Sequence, residues 1–80
     1  MFQAKFIKQK ENEGYLVLKT IRLNKQGFPD VILLRDGVAS FVELKEGKDT
    51  LKPLQQLRID QLRAKGFDSW CEHETQGKIY

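Results

Sequence analysis

The chain has one cysteine, one histidine, two prolines and no apolar run approaching the roughly 20 residues of a membrane span. Each scarcity excludes something. With Cys71 alone no disulfide can staple the chain, and an unpaired cysteine with no signal-like apolar N-terminus points to a reducing, intracellular setting such as the cytoplasm. Cys71 and His73 lie two apart in Trp70-Cys71-Glu72-His73-Glu74, but two such ligands without a second pair fall far short of a closed zinc site. Trp70, Phe67 and Tyr80 read instead as core or subunit-interface aromatics. No repeat, low-complexity stretch or linker divides the 80 residues, so one domain over 1–80 is expected. A chain this short buries a modest share of its surface, which makes a second copy the expected source of further burial.

What is present leans basic. Fourteen Lys and Arg against eleven Asp and Glu give a formal charge of +3 and a pI near 9.1, a mild bias towards a polyanionic partner. The segment Phe2 to Asn12 has no Gly or Pro and places Phe2, Phe6 and Ile7 on one side of a helix that Gly14 ends. Tyr15 to Leu23 is rich in β-branched and aliphatic residues and reads as a first strand, followed by a turn over Asn24-Lys25-Gln26-Gly27. Two further apolar runs, Val31 to Leu34 and Val38 to Leu44, flank Asp36-Gly37, the strongest short-range signal for a two-residue hairpin. After the polar loop Glu46 to Lys52, Pro53 suits the first turn of a helix that runs to about Lys65 and stops at Gly66. Phe67 to Cys71, extending towards His73, is a last strand. The order is α-β-β-β-α-β, an α/β chain with a small sheet flanked by helices.

The hairpin has a chemical consequence. With Asp36 and Gly37 as the loop, Arg35 pairs with Val38, and stepping outward brings Asp30 opposite Glu43. Directly opposed residues have Cβ atoms about 5 Å apart, where like charges destabilise a sheet. A divalent cation such as Mg²⁺, commonly held by one or two carboxylates plus water and phosphate, compensates that repulsion. Lys45, two residues from Glu43, points to the same face. The plain alternative is a solvated face of mixed charge, common on half-exposed antiparallel sheets. On the second helix Leu54, Leu57, Ile59 and Leu62 define an apolar arc that includes Gln55, a buried amide in need of partners, and Arg58, which either joins the site or snorkels at its rim.

Asp30, then Glu43-Leu44-Lys45, fits the pattern of the PD-(D/E)xK nuclease superfamily. Gly27-Phe28-Pro29-Asp30, Phe41-Val42-Glu43-Leu44-Lys45, and Asp49, Leu51, Pro53 and Gln55, with the later Leu62-Arg63 and Gly66-Phe67, resemble its VRR-NUC family more closely. The resemblance spans about Gly27 to Cys71 and implies a restriction-endonuclease-like fold and Mg²⁺- or Mn²⁺-dependent cleavage of DNA phosphodiesters. It implies that Asp30, Glu43 and the backbone carbonyl of Leu44 hold the metal. Lys45 would orient or deprotonate the attacking water and stabilise the transition state, and Gln55 would support the site. Orientation and electrostatic stabilisation suit a lysine beside two acids better than simple general-base work. Minimal members are similar to Holliday junction resolvases and act as homodimers, which suits paired cuts on branched DNA; a phage or prophage origin fits so small a chain. Larger members carry a further acid on the N-terminal helix. Here that region offers Gln3 early and Glu11 and Glu13 only at its far end.

Lys48 and Lys52, flanking the site, are the expected phosphate contacts, and Arg58 is the third residue expected to meet DNA. Two rival functions stand beside the junction endonuclease: a DNA-binding module that keeps the fold without cutting, and an exonuclease or flap nuclease acting on ends.

Overall fold

A computed structural model describes residues 1–80. The elements are α1 (Phe2–Asn12), β1 (Leu16–Lys19), β2 (Val31–Arg35), β3 (Val38–Lys45), α2 (Pro53–Ala64), β4 (Asp68–His73) and β5 (Gly77–Lys78). The strands form one sheet in sequence order, antiparallel except where α2 crosses over and makes β3 and β4 parallel. This is the expected α/β order with one short strand added at the end.

The hairpin is as its sequence demands. Asp36 and Gly37 sit at φ 54° and 75°, both left-handed, as a type I′ turn requires. The register runs from Arg35 opposite Val38 to Val31 opposite Val42. Its alternation sorts the two faces. Val31, Leu33 and Val42 turn to α1 and form a core with Phe6, against which Phe2, Ile7, Tyr15, Val17, Leu44 and Trp70 pack. Phe41, Glu43 and Lys45 turn to the other face, where α2 covers β3 and β4 and buries Ile59.

Two expectations need correction. The first strand is not Tyr15 to Leu23 but four residues, Leu16–Lys19. At Thr20 the chain leaves the sheet: its amide donates to the Asp30 carbonyl and its hydroxyl to that of Pro29, so residues 21–26 turn away before they can pair. In α2, Leu54 and Leu57 are not core residues; they remain 40% and 47% exposed, because α2 packs on β4 and β3 and not broadly on β1 or β2. No helix is long and apolar enough to cross a membrane.

Candidate active site

The site lies where the parallel strands β3 and β4 end and α2 begins, the position at which α/β sheets commonly bind ligands. Asp30 directly precedes β2. Its carbonyl accepts from Thr20, and its carboxylate Oδ2 accepts the Leu44 amide at 2.9 Å. Buried Pro29 anchors the approach, and Phe28 packs edge-on against Phe41, which meets Phe67 in the same way. The Gly27-Phe28-Pro29-Asp30 segment is thus fastened on several sides before it delivers the carboxylate. Gly27 makes room for this at φ 74°, with the Leu54 side chain so close that a Cβ would meet its Cγ at 2.7 Å.

One step beyond the regular pairing, Asp30 stands across from Glu43, close enough for its carboxylate to act on the Glu43 carboxyl. Glu43 is 3% exposed, in register with buried Cys71. Burial first, then the charge of Asp30, push the Glu43 carboxyl up to about 8, with Lys45 pulling the other way. Lys45 Nζ lies 3.6 Å from Glu43 Oε2 and 3.3 Å from Asp49 Oδ2, and Asp49 Oδ1 lies 3.0 Å from Lys52 Nζ. Asp30, Glu43, Lys45 and Asp49 therefore form one continuous chain of charge. Burial beside Glu43 also drives the Cys71 thiol up to about 11, leaving it protonated and inert.

The donor set fits a hard cation. Asp30 and Glu43 supply carboxylate oxygens. Because the Leu44 N–H points to Asp30, its carbonyl, on the same side of an extended strand, points there too. No third His, Cys, Asp or Glu side chain joins them, so the other positions around an ion fall to water and phosphate, the usual arrangement for Mg²⁺.

The remaining expected residues are placed as follows. Gln55 is half-buried at the start of α2, and its Oε1 accepts the Lys52 amide at 2.9 Å, capping the helix. Its amide nitrogen is the part left to face other groups. Arg58 holds the loop before Gly27 against α2, donating to the Gln26 carbonyl at 2.8 Å and to Gln61 at 3.0 Å. Lys52 pairs with Asp49 and the Thr50 carbonyl, whereas Lys48 is exposed in the loop. Gln3 sits in the first turn of α1. The other end of α1 meets the hairpin turn, where the Glu13 carbonyl accepts from Arg35, so that first turn lies towards the site end of the sheet. The direct partnership of Asp49 with Lys45 was missed by sequence reasoning, because it depends on the turn that the Asp49 amide closes onto the Glu46 carbonyl after β3. The place of His73 opposite Lys45 was not legible, because parallel register depends on a crossover and not on a turn.

A mixed α/β sheet flanked by helices, with two acids and a lysine at its strand ends, has the layout of the restriction-endonuclease-like fold. The sequence profile of the VRR-NUC domain matches residues 4–72, and the chain belongs to that family. A solved structure described as a VRR_NUC domain superposes with a TM-score of 0.76 at 28% identity, covering 88% of this chain and 77% of that one. No curated protein sequence matches it. The protein is accordingly a nuclease-type hydrolase, with DNA as the implied substrate.

Proposed function

We propose that the protein is a Mg²⁺- or Mn²⁺-dependent endonuclease that hydrolyses phosphodiesters in four-way or other branched DNA and acts as a homodimer. The observation that carries the metal-dependent reading is the half-buried Asp30 carboxylate, held on the Leu44 amide one step from buried Glu43, with Lys45 3.6 Å from the latter. Two neighbouring acids at a strand end hold a proton or a cation, and a cation serves phosphate chemistry. Asp30, Glu43 and the Leu44 carbonyl would hold the ion, which supplies charge neutralisation at the phosphate and a more acidic water. Lys45, fixed between two carboxylates, orients the attacking water and offsets negative charge as the phosphate passes through its transition state. Exposed Lys48, in the loop after β3, would contribute phosphate contacts.

The dimer reading is supported by what the fold leaves bare. The protein exposes 5479 Å², against about 5,000 Å² for a typical monomer of its mass. Leu16 and Leu18 on edge strand β1, with Ile21 and Leu23 beyond it, are 44% to 87% exposed. The Thr20 amide bonds to β2, so by alternation the Val17 and Lys19 backbone groups face the open edge. A twofold at Val17 would bring Leu16 opposite the partner's Leu18, both on one face. One sheet would then run through both copies.

The test is cleavage of labelled four-way junctions, flaps, duplex and single strands in Mg²⁺ or Mn²⁺, alongside Asp30→Ala. Paired symmetric nicks that Asp30→Ala abolishes are expected. Binding without cleavage of any substrate would favour the non-cutting module, and products released only from ends would favour the exonuclease.

A further inference from the structure

His73 is buried at the end of β4, opposite Lys45 in the parallel register. Its Nδ1 accepts the Thr75 amide at 3.2 Å, so the ring proton sits on Nε2, which donates to the Gly47 carbonyl at 2.8 Å. The next residue adds a second tie, the Glu74 amide donating to the Lys45 carbonyl at 3.0 Å. Gly47 stands at φ 60° in the loop between β3 and α2, and two residues later the Asp49 amide closes a turn onto the Glu46 carbonyl at 3.1 Å. That turn presents Asp49 Oδ2 to Lys45.

We propose that His73 is a positioning residue for the cleavage reaction: through the Gly47 carbonyl it holds the Glu46 to Leu51 loop so that Asp49 keeps Lys45 aimed at the phosphate. This rests on the reading of Lys45 as part of the cleaving site. The physical need is clear from the geometry. Lys45 has two carboxylate partners, and without Asp49 its ammonium is left with Glu43 alone, the group that would hold the metal. A lysine drawn onto a metal ligand both competes for that oxygen and leaves the reacting position. Asp49 is exposed and carried by a loop, so its own element gives it little rigidity. The His73 bond across 26 residues supplies it from the sheet.

Two amide substitutions separate positioning from simple filling of the cavity. In His73→Gln the side-chain amide reaches the position of Nε2 and can still donate to Gly47. In His73→Asn the amide reaches only the position of Nδ1, where it can take the Thr75 N–H but not Gly47. His73→Gln is expected to keep kcat within about threefold, while His73→Asn loses about tenfold or more with KM for DNA within about twofold. Asp49→Asn, at a half-exposed position where folding is not at stake, should reproduce the kcat loss of His73→Asn. Hydrogen exchange at the Asp49 amide supplies a readout without cleavage and should quicken in His73→Asn alone of the two His73 variants. If Gln and Asn behave alike in both measurements, or if Asp49→Asn leaves kcat unchanged, the proposal is overturned. If the unaltered protein cleaves nothing, the nuclease reading fails by itself, and the exchange rates still decide whether His73 holds the loop.

Discussion

The Lys45 ammonium lies 3.6 Å from a Glu43 oxygen with both side chains only 4% exposed, so the pair proposed to act on the phosphate is also a buried pair of the fold. A buried pair of this kind stabilises little beyond a well-packed apolar substitute, so the loss of Lys45 is expected to show in cleavage first. Lys45→Ala is therefore expected to lower single-turnover cleavage by about 10²-fold or more while Mn²⁺ binding, followed by calorimetry, is retained. Unchanged cleavage with normal metal binding would remove Lys45 from the reaction.

The raised Glu43 carboxyl fixes a sign for pH dependence in metal-free protein. Its folded value, about 8, exceeds the ordinary 4.5, so between the two the folded chain binds more protons than the unfolded one. Stability from this group is complete below pH 4.5 and is lost as pH rises towards 8, on the order of 3 to 5 kcal/mol over the window. Urea denaturation in EDTA at a series of pH values measures it, and Glu43→Gln should flatten the slope. Added Mn²⁺ should stabilise more as pH rises, since the proton and the cation compete for the same oxygens.

Gly27→Ala is expected to lower stability by about 1 to 3 kcal/mol, because its backbone is left-handed and the new methyl would run into Leu54. Since Gly27 begins the segment that carries Asp30, cleavage should fall along with the urea midpoint. A midpoint equal to that of the parent would mean that the Gly27 and Leu54 approach is looser than the distances state.

Edge strand β1 gives a prediction about assembly. Sedimentation at micromolar concentration should show a dimer, and Leu16→Lys with Leu18→Lys should yield a folded monomer, since two lysines would face two lysines across the twofold. An unaltered dimer in the double variant would place the interface elsewhere.

Most of the hairpin that carries the candidate site was legible in the sequence because its cause is local. Asp-Gly selects a two-residue turn, the turn selects the register, and the register carries Asp30 to Glu43 and Lys45 to the same face. Both helices and their Gly stops were legible for the same reason. The extent of β1, by contrast, depends on hydrogen bonds from Thr20 to Pro29 and Asp30, nine and ten residues away, which no propensity expresses. The exposure of Leu54 and Leu57 depends on which strands α2 happens to cover.

By itself, then, the sequence determined the two acids, the lysine and the turn that brings them together, since alternation and turn geometry are properties of neighbouring residues. Only the tertiary structure decided how deeply those groups are buried and that His73 meets Gly47. Those outcomes follow from the α2 crossover, which lays β4 beside β3 and excludes water from the space between them.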